Sequence, residues 1–215
     1  MKIGKNLCKQ RIAAYDSVEE IDFNEVIKHG NVVLKISNGC HDNVFISNKT
    51  KPNIKQIKKR ITYFYNREYS FIVPEFFHSY SKKRIVLEKK FSPFEDLFEF
   101  KFMIFNNEIK IILLFYYEQD VVYSSYYDAD YNYIDATGNK KYNLNNFRKK
   151  DLEELKKLAL KLSEDFPNFI RVDLYIFHNQ IYLSELTFDS NSGLPYFQNV
   201  KYFNNSLIDW KRVDY

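Results

Sequence analysis

The chain has 215 residues, 28% of them charged and 45% hydrophobic, which excludes a disordered segment and leaves room for one good-sized core or two small lobes. Its net charge of +4, from 32 basic and 28 acidic residues, is spread along the chain with only a local basic run at 55–60; this argues against a nucleic-acid partner and leaves an anionic ligand such as a nucleotide open. Two cysteines, Cys8 and Cys40, exclude a disulfide framework and a zinc site made of cysteines alone, and fit a reducing, cytoplasmic setting.

The opening MKIGKNLCKQRI has no apolar h-region, so no signal peptide is expected. Residues 16–30 read as a short helical or turn segment, capped by Asp16 or Ser17 and stopped by Gly30. Residues 31–36 (NVVLKI) form a strand, and Val44, Phe45 and Ile46 resume as its partner after the turn SNGCHDN. Lys35 therefore sits just before a glycine-containing turn, either to hold phosphate oxygens with backbone N–H groups or to snorkel at a strand edge. Residues 53–69 place Ile54, Ile57, Ile61 and Phe64 or Tyr65 at helical spacing, with a basic outer face. A strand at 84–91 follows, broken by Ser92 and Pro93.

Residues 98–105 and 108–117 make a hairpin across Asn106-Asn107, and 121–127 with 131–134 make another across 128–130. The run 109–117, interrupted by Lys110, is the longest apolar stretch and far too short for a membrane span. The 20 Phe and 18 Tyr, against one Trp, read as the compositional bias of an AT-rich genome, with most tyrosines in the core or half-buried on strands. Residues 151–166 are the clearest helix: Leu152, Leu155, Leu158, Leu162 and Phe166 line one face, Asp151 and Glu154 read as a capping box, and Pro167 ends it. The tail carries a weaker helical signal at 204–212. The four histidines show no metal-ligand spacing.

Residues 169–193, FIRVDLYIFHNQIYLSELTFDSNSG, read as a hairpin turning at His178-Asn179, with Arg171, Asp173 and Glu185 inside two apolar runs. A buried carboxylate must pair, bind a metal or take up a proton. Two carboxylates beside an arginine suit a Mg²⁺–phosphate site; the alternative is strand residues that face water or pair with Lys and Arg. A strict two-residue turn puts Asp173 opposite Ser184 and leaves Glu185 on the other face. A shared metal therefore demands a three-residue turn or a one-residue bulge.

Antiparallel strands, a helix, then a hairpin carrying Arg-x-Asp and Glu resemble the second half of an ATP-grasp fold. More closely, LNNFRKKDLEELKKLALKLSEDFPNFIRVDLYIFHNQIYLSELTFDSNSG at 144–193 is similar to the TupA-like ATP-grasp family of teichuronopeptide and surface-polysaccharide (capsule) biosynthesis. AYDSVEEIDFNEV, NVVLKISNG, EFFHSYSKKRIVLEKKF, EFKFMIFNNEIKII and YYDADYNYID extend the resemblance over about 14–193. It implies an α+β, ATP-grasp-like fold of antiparallel sheets with packed helices, two lobes around a nucleotide cleft: a small lobe at 1–90 and a larger one at 91–215.

The resemblance also implies roles. Asp173 and Glu185 would bind Mg²⁺, with Thr187 where many relatives place an Asn ligand; Arg171 would neutralise phosphate or an acyl phosphate; Lys101, in EFKF, matches the lysine of the family's DYKF element. Lys35 would contact nucleotide phosphates beside the small-residue loop Asn38-Gly39-Cys40. Glu88, Lys89, Lys90 and Phe91 would lie along adenine, and Glu95 or Asp96 would meet the ribose. Three departures stand out. His41 replaces a loop glycine, no arginine occupies the strand at 118–125, and the chain begins too late for the family's first phosphate-contacting segment, which implies a truncated N-terminal lobe: a natural short variant, a fragment, or a lobe completed by a partner or oligomer.

The first functional reading is an ATP- and Mg²⁺-dependent carboxylate–amine ligase acting through an acyl phosphate on a carboxylate- or sugar-containing substrate. A non-catalytic or partner-dependent nucleotide-binding subunit and a sugar phosphotransferase are the alternatives. On the ligase reading, Asp173→Asn or Glu185→Gln abolishes Mg-ATP turnover and leaves folding intact.

Overall fold

A computed structural model of the chain describes residues 7–8, 11–37, 39, 42–47, 52–67, 82–119, 121–135, 140–166 and 168–188. The chain divides into two compact units, residues 1–92 and 93–215. Among the described residues no helix is long and apolar enough to cross a membrane.

The first unit carries a four-stranded antiparallel sheet in the order β1-β4-β2-β3, built from β1 (Arg11–Tyr15), β2 (Val32–Ile36), β3 (Asn43–Ile46) and β4 (Ile85–Lys89). One face, with Val32, Leu34, Ile36, Val44, Ile46, Ile85 and Leu87, packs with α1 (Phe23–Lys28) and α2 (Ile54–Asn66). The expected apolar stripe of α2 is the stripe that packs, with Ile61 fully buried and Ile54, Ile57, Phe64 and Tyr65 around it. Asn53 caps this helix by accepting from Gln56 N at 3.1 Å. Its other end stops at Asn66, where the Lys83 ammonium donates to the carbonyls of Tyr65 and Arg67 at 3.0 and 2.9 Å.

The expected cap of the first helix is different. Asp22, not Asp16 or Ser17, accepts from Asn24 N and Glu25 N. Strand β1 runs up to Tyr15, paired with Ile85, and so delivers Asp16 to Lys82 and Arg84 at 2.6 and 2.8 Å.

The second unit is a six-stranded antiparallel sheet in the order β10-β9-β5-β6-β7-β8. Its strands are β5 (Leu97–Phe105), β6 (Glu108–Glu118), β7 (Val121–Tyr127), β8 (Tyr133–Ile134), β9 (Phe169–Phe177) and β10 (Gln180–Thr187). Alternation sends Phe100, Phe102, Ile104, Ile112, Leu114, Tyr116, Ile170, Val172, Leu174 and Ile176 to one face, against α3 (Lys149–Ser163). Asn106-Asn107 and His178-Asn179 both hold positive φ at their two turn residues, the conformation that matches the twist of a tight hairpin. β8 starts two residues later than the sequence suggests. Tyr131 takes φ 64°, and its hydroxyl donates to the Leu152 carbonyl at 2.6 Å, tying the turn to α3 instead of extending the ladder.

α3 begins at Lys149, before Asp151, so no capping box forms; Asp151 takes the Arg148 guanidinium at 2.8 Å through both oxygens. Ala159, fully buried, joins Leu152, Leu155 and Leu162 on the packed face, Leu158 is partly buried against the same core, and Phe166 lies past the helix end against Phe188. The expected tail helix at 204–212 lies outside the described residues.

Several tyrosines are core residues whose hydroxyls serve backbone carbonyls, as when Tyr127 donates to Tyr142 O at 2.7 Å. Burial pushes the Tyr127 hydroxyl up to about 12 and raises Tyr131 and Tyr175 as well. A folded-state pKa raised above the unfolded value of 10.0 means stability that is full below pH 10 and lost as pH climbs toward about 12. Denaturant unfolding across alkaline pH is expected to show a flat stability up to pH 10 and a fall above it. Tyr127→Phe is expected to make that fall shallower without moving its onset, because the other raised tyrosines share the unfolded value of 10.0.

Candidate functional site

The face of the second unit's sheet away from α3 carries a charged strip across three strands. Lys101 on β5, Asp173 on β9 and Glu185 on β10 stand directly opposite one another. Asp173 is fully buried. Its carboxylate accepts from Arg171 Nε and an Arg171 terminal nitrogen at 2.8 and 2.9 Å, and from Lys101 Nζ at 3.0 Å. Lys101 also lies 3.5 Å from Glu99, two residues back on the same face. Arg171 is 3.8 Å from Glu185, whose other oxygen accepts from the Thr187 hydroxyl at 2.8 Å.

The turn is two residues long, as Gln180 pairs with Phe177, and a bulge between Leu183 and Glu185 makes up the register. Leu183 opposes Leu174 and Glu185 opposes Asp173, with Ser184 as the extra residue. The bulge has a visible cause. Ile181 and Leu183 face α3 by alternation, and Leu186 and Phe188 face it again one residue out of phase. Burying both apolar pairs forces the chain to skip at Ser184, and that skip turns Glu185 toward Asp173. This phase break is the sequence signal that selects the bulge over a three-residue turn.

The electrostatics follow from crowding in a half-buried setting. Burial alone depresses the Lys101 ammonium, but the Asp173 and Glu99 carboxylates outweigh it and hold Lys101 above its ordinary range. Burial pushes the Glu99 carboxyl up; Asp173 adds to this, and Lys101 and Arg171 oppose it.

Among the described residues no group of three or more His, Cys, Asp or Glu side chains converges as a metal site. A magnesium ion commonly takes one or two carboxylates and completes its shell with water and phosphate, so the donor set here fits that ion. Glu185, 55% exposed, is the carboxylate open to such an ion, Thr187 offers a neighbouring oxygen, and Asp173 is fully buried with both oxygens engaged by Arg171 and Lys101.

In the first unit Lys35 and Glu88 form one pair, 3.1 Å apart on adjacent strands and partly buried. Lys89 donates to His29 O at 2.7 Å, the Lys90 ammonium stands over the Phe45 ring, and Phe91 is buried. A Cβ on Gly39 would lie 2.6 Å from Asp42, a buried carboxylate bound to Arg67 at 2.6 Å, so close packing itself demands glycine there. Asn38, Cys40, His41 and the Glu95 side chain lie outside the described residues. Asp96 pairs with His178 at 3.0 Å, within the second unit. Glu99 and Ser184 join the strip without having been singled out; the alternation Phe98-Glu99-Phe100-Lys101-Phe102 is the signal that places Glu99 beside Lys101.

The burial of Asp173 alters one expectation. Its substitution affects folding, because two cations lose their buried partner. Asp173→Ala is expected to lower unfolding free energy by about 3–5 kcal/mol, whereas the exposed Glu185→Gln changes it by less than about 1 kcal/mol. Denaturant melts of the two variants check this, and equal stabilities would refute the asymmetry.

The family model described as TupA-like ATPgrasp matches residues 1–207. Among solved structures, a D-alanine–D-alanine ligase from Bacillus anthracis superposes with a TM-score of 0.50 at 16% identity, over 96% of this chain and 64% of that one. The same enzyme complexed with ATP gives 0.48 at 15% identity, over 95% and 62%, and the ATP-grasp ligase PsnB with a minimal precursor gives 0.46 at 8%, over 97% and 56%. The chain thus spans less than two thirds of each. The first superposition bears on the fold, which is that of the ATP-grasp proteins. No curated protein matches the sequence.

Proposed function

The chain belongs to the TupA-like ATP-grasp family, and from that premise we propose that it is an ATP- and Mg²⁺-dependent carboxylate–amine ligase. The observation that carries this reading is the Lys101–Asp173–Arg171 cluster with Glu185 brought opposite Asp173. Phosphoryl transfer asks a protein mainly for positioning and fixed charge. Asp173 clamps Arg171 through two parallel hydrogen bonds and holds Lys101 by a third, so both cations are set in place before any anion arrives. The Lys101 ammonium is the donor for the transferring phosphoryl group, and Arg171 adds fixed positive charge beside it.

When bound, Mg²⁺ supplies further neutralisation of phosphate charge, with Glu185 as its open carboxylate, Asp173 opposite it and Thr187 as a nearby oxygen. In the first unit Lys35 is the phosphate lysine, exchanging Glu88 for a phosphate oxygen, with Asn38 and Gly39 in the adjoining loop. Residues 88–91 follow the adenine edge and Glu95 meets the ribose. The carboxylate substrate takes the γ-phosphoryl group, releasing ADP. An amine then forms the C–N bond as the acyl C–O bond breaks and phosphate leaves, with loss of one proton from nitrogen. A cytoplasmic setting goes with the use of ATP, and the surface-polysaccharide setting is carried by the family's description.

Calorimetry with Mg-ATP tests the reading. The wild-type chain is expected to bind nucleotide in a Mg²⁺-dependent manner, and Glu185→Gln to weaken that binding by more than about tenfold while remaining folded. Lys101→Met is expected to abolish carboxylate-dependent ADP release. Nucleotide binding indifferent to magnesium, or full turnover in either variant, would remove the assignment. A phosphorylated sugar in place of an amide would move it to a phosphotransferase.

A further inference from the structure

Helix α2 carries charge of one sign. Residues 43–67 hold seven Lys or Arg and no Asp or Glu. Of these, Lys55, Lys58, Lys59 and Arg60 lie on the helix and are exposed. Among the described residues no carboxylate comes within ion-pair distance of the four; Arg60 lays its guanidinium over the Phe64 ring, 5.4 Å from the centroid. The other helices differ. α1 pairs Lys28 with Glu25, and α3 pairs Arg148 with Asp151 and sets Lys149, Lys150 and Lys157 three or four residues from Glu153 or Glu154. In α2 the neighbours Lys55–Lys58 and Lys55–Lys59 repel each other, which lowers helix stability. An external anionic surface removes that repulsion.

At about 100° per residue, Lys55, Lys58 and Lys59 fall within about 100° of arc. Ile57, Ile61 and Phe64 lie on the opposite side, packed in the core of the first unit. The apolar stripe is thus already covered, and the outward face offers charge without insertion. Tyr63, 61% exposed, stands beside Lys59 on the outward side, its hydroxyl bonded by Arg67. The face is convex and about 20 Å long, and three of its four cations are lysine. A phosphate chain is read best by arginine forks; point-charge lysines on a convex helix match a broad anionic plane that meets all of them together. A tyrosine among lysines suits the headgroup layer of a bilayer. The small, scattered net charge of +4 argues against nucleic acid.

We propose that the outer face of α2, through Lys55, Lys58, Lys59, Arg60 and Tyr63, docks the protein onto an anionic lipid surface. The inference stands apart from the ligase reading and uses none of its residues. Each basic residue at an anionic bilayer raises partition about fivefold, so the four give roughly 600-fold. Co-sedimentation of the full chain with vesicles tests this, comparing phosphatidylglycerol and phosphatidylcholine in equal parts with phosphatidylcholine alone. At about 0.05 M salt the mixed vesicles are expected to bind at least about a hundredfold more tightly, and the difference to vanish near about 0.5 M. The triple variant Lys55→Gln, Lys58→Gln, Lys59→Gln is expected to lose at least about fiftyfold. The triple Lys149→Gln, Lys150→Gln, Lys157→Gln removes the same charge from α3 and is expected to stay within about fivefold of the wild-type chain.

Equal binding to both kinds of vesicle, binding indifferent to salt, or equal losses in the two triple variants would overturn the proposal. So would a duplex DNA that displaces the chain from the vesicles at the same salt, which would assign the face to nucleic acid. If the α2 triple does not fold, the α3 triple and the headgroup and salt contrasts in the wild-type chain decide.

Discussion

A fully buried carboxylate in the middle of a sheet is tenable only with cations at hand, and Asp173 has two. Arg171, two residues earlier on the same strand, closes on it with a fork of two hydrogen bonds, and Lys101 reaches it from the neighbouring strand. The three cannot be separated without stranding a charge, so β5 and β9 must keep one register. That register lines up Glu99 with Tyr175 and Met103 with Arg171, and it places the remaining polar groups of the strip. On the proposed function, folding and chemistry draw on the same ion pairs.

The apolar core on the opposite face of the sheet is the other half of that constraint. Phe100, Phe102, Val172 and Leu174 interleave with Lys101 and Asp173 and are buried against α3. A slip of one residue would carry the charges into this core and the rings out of it. On β10 the same demand operates across the bulge. Leu183 and Leu186 both stay in the core because Ser184 is skipped, and Glu185 reaches the charged face as a consequence. An apolar requirement thus positions the most accessible carboxylate of the site.

Much of this was legible in the chain. The hairpins at Asn106-Asn107 and His178-Asn179, the α2 stripe around Ile61 and the leucine face of α3 follow from periodicity and turn chemistry. The charges Arg171, Asp173, Glu185 and Lys101 stand out within apolar strands. The misses share one origin. Asp16 and Asp151 look like helix caps locally, yet each is taken by a cation, Lys82 with Arg84 in one case and Arg148 in the other. Tyr131 reads as strand, yet its hydroxyl is claimed by the Leu152 carbonyl. Glycine at 39 suggests a phosphate loop, and its immediate structural reason is the buried Asp42 carboxylate beneath it.

By itself the sequence determined the element types, the antiparallel character of the sheets, the family resemblance and the identity of the charged strand residues, because periodicity, turn residues and motif order are local properties. It also stated the geometric condition for Asp173 and Glu185 to share a face. Only the tertiary structure decided how that condition is met, that Lys101 and Arg171 converge on one buried carboxylate, and that Lys101 also serves Glu99. Those outcomes depend on which strands become neighbours and in what register, and register is set by burying both faces of the sheet at once, a condition no single segment carries.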